Sequence, residues 1–298
     1  MCTLPARRVL LFLVLALALC VSLPAQQPPP ANSNAAQKAS QKVIQDPAEY
    51  KAYMAALNTQ DAAARASAME AFAAQYPRSV VASDALAQAM AAWQLLGNSA
   101  KVEEVSRRLL ALEPGNIRAL AVVVAFDRAK ATQGDAAALS EMCLQATGGM
   151  RELVLWQKPL GMSDADFSLL SRQMSVIFTG AAGFCALQSK DYSQARDWLT
   201  RVFALDPSSL QDVYQLALAD LEMNPLDANG FWYCAKAIHL AQGAGNTQAA
   251  GSFTNYCKAE YARYHGAADG WDALLAASST QSALPAGFAR QITPAPAQ

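Results

Sequence analysis

The sequence predicts an all-α protein, and three observations carry that expectation. Alanine dominates a hydrophobic fraction of 53%, while only 16% of residues are charged, which is too apolar for a disordered chain and suits close-packed helices. The 15 glycines and 14 prolines fall mostly between periodic runs rather than within them. Apolar residues recur at helical spacing along the body, most clearly in residues 190–207, KDYSQARDWLTRVFALDP. There Leu199 and Val202 follow Ala195 at i+4 and i+7, Ala195 leaves room for a crossing helix, and Pro207 cannot donate the next helical hydrogen bond.

Taken in order, the chain opens with Arg7 and Arg8, an apolar run over 9–21, and Leu23-Pro24-Ala25. A charged start, an apolar core and a small residue before the cut describe a secretory signal peptide over 1–25, whose apolar run over 9–21 is too short for a spanning helix. The mature chain is then expected to be exported, with no membrane span. Leu17-Ala18-Leu19-Cys20 resembles a lipoprotein signal except at Leu19, so a lipid anchor at Cys20 stands as the alternative to a soluble product. Loss of Arg7 and Arg8 from 23 basic residues leaves 21 against 24 acidic ones, and no basic stripe emerges, which argues against nucleic acid as a partner. Residues 26–45 are rich in Gln, Pro, Asn and Ser and read as a flexible linker, and residues 278–298 read as a flexible tail in which only Phe288 and Ile292 invite docking.

The body over 46–277 then divides into helices. Asp46-Pro47 opens the first, followed by Tyr50, Met54 and Leu57, and a partner runs over about 61–75 to Tyr76-Pro77. A hairpin over 83–116 turns at Gly97. A dense apolar helix over 117–133 turns at Gly134-Asp135 into a helix from Ala136 to about Thr147, where Gly148-Gly149 and then Pro159 interrupt the period. Ser163 and Asp166 form a capping-box variant at the head of a long helix to Gln188, paired with 190–207. Helices over 210–222 and 231–242, joined by MNPLDANG, and over 246–264 and 269–277 complete about six hairpins.

Tyr192, Ala195, Leu199, Val202 and Pro207 resemble the second helix of a tetratricopeptide repeat, and Leu86, Ala89, Trp93, Gly97, Val102, Leu109 and Pro114 match it across 83–116. Ser106 and Arg65 depart from the pattern. Tyr76-Pro77-Arg78-Ser79 with Ala82, Ala85 and Leu86 resembles the junction in exported helical-repeat proteins of Gram-negative bacteria. The resemblance implies a superhelical α-α solenoid in the periplasm or cell envelope, binding a protein or peptide partner without catalysis or cofactor. It also implies that first helices line a concave groove, with Gln94, Phe184, Gln188, Tyr214, Leu218 and Glu222 facing in and Arg118 and Arg128 added in weaker register. The family's carboxylate-gripping positions hold Ala87, Ala91, Ala121, Ala125, Gly180, Phe184, Tyr214 and Leu218, so an apolar or aromatic-bearing segment is expected instead.

Site chemistry is otherwise sparse. His239 reads as a packing residue, and two histidines 26 apart without flanking HxxxH or CxxC make no metal site. The oxygen donors Asp220, Glu222, Asn224, Asp227 and Asn229 lack the order of a calcium loop and read as turn and cap chemistry. No GxSxG, SxxK, phosphate loop or dinucleotide fingerprint occurs. The alternative function is carbohydrate or cell-wall binding by Tyr261, Tyr264, His265 and Trp271, against a cap that buries these rings. Cys143, Cys185, Cys234 and Cys257 allow three pairings into two bridges; Cys234 with Cys257, mirrored about the 243–245 turn, is the most geometric, while their apolar context favours buried thiols.

Overall fold

In the computed structural model the described residues, 42–296, form twelve α-helices and one short 3-10 helix, with no strand among them. The expected signal peptide, Cys20 and nearly all of the linker lie outside the described residues. The chain divides into two compact units, one ending at Ala129 and one beginning at Lys130.

The N-terminal unit comprises α1 (Pro47–Leu57), α2 (Ala62–Gln75), α3 (Ala82–Leu95), α4 (Ser99–Leu112) and most of α5 (Ile117–Thr132). Three of the starts are set by capping side chains. Asp46 Oδ1 accepts from the Ala48 and Glu49 amides ahead of Pro47, Asp61 caps α2, and Asn98 caps α4 beside Gly97 at φ 69°. Successive helices from α1 to α4 pack in sequence order, with Met69, Phe72, Leu86, Met90, Val105 and Leu109 buried and Ala66, Ala85 and Ala89 at the crossings. Ser106, the odd residue of this repeat, is buried and tolerated because its Oγ donates to the Val102 carbonyl one turn back at 2.6 Å. A buried Glu70 accepts from Trp93 Nε1 at 2.7 Å and Arg108 at 2.6 Å, tying α2 to α3 and α4. Two residues of the expected linker join this unit: Ile44 packs on the core and Lys42 pairs with Asp84 at 2.9 Å.

The C-terminal unit comprises α6 (Ala136–Leu155), α7 (Asp164–Gln188), α8 (Tyr192–Leu205), α9 (Leu210–Leu221), α10 (Asn229–Gly243), α11 (Thr247–His265), α12 (Trp271–Thr280) and the 3-10 turn Phe288–Gln291. From α6 to α11 each helix packs on the next, and α12 returns onto α10. The α8 residues Ala195, Leu199 and Val202 are fully buried, as their spacing predicts. Leu199 nests on Gly183 of α7, where a β-carbon would lie 2.6 Å from its Cγ.

Three expectations are corrected or refined. The helix expected to stop near Thr147 runs on to Leu155, through Gly148 and Gly149. Gly149 is a packing site rather than a breaker, because the ring of Phe178 on α7 lies against its backbone, within 2.4 Å of where a β-carbon would stand. The tail is held at the two residues expected to dock: Phe288 and Ile292 are buried in the core, and the Ala295 amide donates to the Tyr264 carbonyl at 2.7 Å. At Ser163 the capping box closes differently from expectation. Ser163 Oγ caps the Asp166 amide, and its hydroxyl donates to the Asp166 carboxylate, instead of that carboxylate reaching the serine amide.

Candidate functional site

Within the C-terminal unit, α7, α9 and α11 are the first helices of three successive hairpins. Because each second helix folds back behind its partner, the first helices come alongside one another: α7 packs directly on α9, and α9 meets α11 through aromatic rings. Tyr214 of α9 stacks on Phe253 of α11 with centroids 3.8 Å apart and planes 17° from parallel, and Tyr256 stands edge-on to Tyr214 at 6.5 Å. The Tyr256 hydroxyl donates to Glu222 Oε1 at 3.1 Å, one turn past Leu218 on the same helix end. Burial, then the charge of Glu222, pushes this hydroxyl's pKa up, so it stays a donor at all ordinary pH.

The expected groove residues separate into two groups. Gln188 and Glu222 are exposed and Tyr214 and Leu218 half-buried, so these four remain open to a ligand. Phe184 is buried and serves the core of the C-terminal unit, and Gln94 is buried in the N-terminal unit. Both sit on the apolar side of helices whose side chains interdigitate with the neighbouring helix, a placement that a repeat register alone does not distinguish from the groove. Phe253 and Tyr256 were missed by the sequence reading. Their signal is two aromatics at i and i+3 on the first helix of the next hairpin, facing Tyr214.

The alternative aromatic patch is mostly interior. Trp271 is fully buried, and Tyr261 is 5% exposed with its hydroxyl donating to the Asp269 carbonyl at 3.0 Å. Neither offers a ring face to a sugar. Tyr264 is half-buried against Phe231, and His265 Nδ1 donates to the Thr293 carbonyl at 2.7 Å, pinning the tail. His239 likewise packs, with Nε2 donating to the Leu275 carbonyl at 2.7 Å.

The four cysteines among the described residues are joined in two bridges. Cys234–Cys257 ties α10 to α11, and Cys143–Cys185 ties α6 to α7, a pairing that sequence spacing did not favour. Both bridges differ from the buried thiols that the apolar context suggested. An apolar helical context is also what two helices crossing face to face present, so it does not separate a thiol from a bridge.

The loop after α9 turns as expected: Asp227 Oδ1 accepts from the Asn229 amide at 2.9 Å. Beneath it Asp220 is 1% exposed. Burial first and the neighbouring Asp227 second push its carboxyl up to about 8, against the opposing charge of Arg196. Among the described residues no group of three or more His, Cys, Asp or Glu is arranged to hold a metal ion, and no helix is long and apolar enough to cross a membrane. A shallow cleft of about 330 Å³ lies between this loop, Tyr264 and Ala289. No family model matches the chain, and no curated protein matches it.

Proposed function

We propose that the chain is an exported, non-catalytic tetratricopeptide-type scaffold that binds an apolar or aromatic-bearing protein segment on the face shared by α7, α9 and α11. The observation that carries this reading is the alignment of three first helices, with Tyr214, Leu218, Glu222 and Tyr256 accessible along it. Such a face suits a helix or extended peptide, because apolar anchors find half-buried rings while Glu222 and Gln188 remain available for backbone or side-chain donors. The periplasm or cell envelope is the proposed location, on the strength of the charged and apolar start of the sequence.

The test is selection from a random peptide library against the purified chain. Enriched peptides are expected to carry two or more apolar or aromatic anchors. They should bind Leu218→Glu or Glu222→Lys at least tenfold more weakly, with far-UV circular dichroism unchanged. Peptides that bind both variants as tightly as the parent chain would remove the groove from the account.

A further inference from the structure

The α6–α7 hairpin is longer than its neighbours, with 20 and 25 residues against 14 in α8. Its free end has no interior. The last buried residue of α6 is Gly149 and the first of α7 is Met174, so residues 150–173 contain none. These residues are nonetheless apolar: Val154 is 84% exposed, Leu155 72% and Leu160 91%, with Leu169 at 46%. Beneath them Trp156 and Phe167 brace the turn, with centroids 5.1 Å apart. Single exposed leucines are ordinary, but three nearly bare aliphatics within seven residues at one helix-hairpin end mark a surface that another body covers.

The charges around this end decide which body. Arg151, Lys158 and Arg172 are balanced by Glu152, Asp164 and Asp166, and Lys158 already pairs with Asp164. An anionic lipid surface or acidic partner selects a basic excess, which is missing here. A patch with three charges of each sign can instead face a copy of itself across a two-fold axis without net repulsion. We infer that the 150–173 tip is a self-association surface, joining two copies of this chain tip to tip through Val154, Leu155 and Leu160. Three aliphatic side chains alone cannot supply the roughly 800 Å² per partner of a standard stable interface, so the dimer is expected to be weak. Its dissociation constant is expected on the order of 10 µM or higher. Residues 150–173 include none of the residues of the proposed ligand face.

Sedimentation velocity of the purified chain from low micromolar to near-millimolar concentration tests it. The parent chain is expected to pass from monomer to dimer. Val154→Asp/Leu160→Asp should weaken that transition at least tenfold, and its far-UV circular dichroism should be unchanged because neither side chain is in a core. Leu144→Asp, also exposed but on α6 ten residues before Val154, should leave the dimer intact. A chain that stays monomeric throughout overturns the inference, as does a dimer indifferent to the double variant or equally sensitive to Leu144→Asp. Monomeric chain that floats with phosphatidylcholine vesicles, and ceases to do so in the double variant, would assign the tip to lipid instead.

Discussion

Two adjacent glycines on α6 give opposite expectations for the same substitution, and the contrast comes directly from how α6 and α7 cross. A β-carbon at residue 149 would lie 2.4 Å from Phe178 Cε1, 2.5 Å from Cζ and 2.6 Å from Cδ1, whereas one at residue 148 would meet nothing within 4 Å. Phe178 has no exposed surface into which its ring could swing, so Gly149→Ala forces the helices about 1 Å apart to reach ordinary contact. The Cys143–Cys185 bridge joins the same two helices less than two turns away and resists that separation. Overpacking of this kind costs about 1–3 kcal/mol, from which the helix preference of alanine over glycine returns up to about 1. The expected net loss is about 1–2 kcal/mol, or about 3–6 °C in melting temperature for a unit of this size. Gly148→Ala should instead gain up to about 1 kcal/mol. Urea unfolding followed by circular dichroism measures both, and in a Gly149→Ala/Phe178→Leu double variant the two losses should be less than additive by at least about 0.5 kcal/mol. If Gly149→Ala proves as stable as Gly148→Ala, α6 does not cross α7 at this point and the hairpin described here is wrong.

Other expectations follow from single features. The folded chain holds a proton on Asp220 up to about pH 8, while the unfolded chain releases it near 3.8; stability from this group is therefore full below about pH 4 and declines as pH rises to about 8. Asp220→Asn should flatten that decline and raise the urea midpoint most at pH 8 and above; parallel pH profiles for the two proteins would refute the assignment. Lys190 occupies the left-handed region at φ 62° in the α7–α8 turn, where the α3–α4 and α10–α11 turns use Gly97 and Gly245. Lys190→Gly should stabilise by about 0.5–1 kcal/mol in thermal melts, and a loss would indicate that the lysine side chain matters more than its backbone. Cys234 and Cys257 are fully buried whereas Cys143 and Cys185 are partly exposed. Brief reduction by a dithiol without denaturant, quenched with excess iodoacetamide, should accordingly leave the latter pair carbamidomethylated at least tenfold faster by mass spectrometry, with equal rates counting against the packing described.

The sequence made helices legible wherever caps and periodicity agreed. Asp46-Pro47, Asp61 and Ser163 each stand at the helix start that their chemistry predicts, and Leu199 and Val202 are buried as their spacing requires. What escaped was information held between distant residues. Gly149 reads as a breaker until Phe178, 29 positions on, is known to lie against it. Phe184 and Gln94 read as groove residues because register alone assigns a side of the helix, not how far the neighbouring helix covers it. Cys143 and Cys185 have no mirrored turn to suggest their bridge, whereas Phe288 and Ile292, two large apolar residues of a tail rich in proline and alanine, dock in the core as their chemistry suggests. The candidate site was half legible: Tyr214, Leu218 and Glu222 came from repeat positions, while Phe253 and Tyr256, whose rings pack around Tyr214, came only from packing.

Hydrogen–deuterium exchange of the chain with and without a selected peptide tests the proposed ligand face most directly. The account predicts added protection concentrated on the C-terminal half of α7, on α9 around Tyr214 to Glu222, and on α11 around Phe253 and Tyr256. Protection confined to α8 and α10, or to the 150–173 tip, would contradict it.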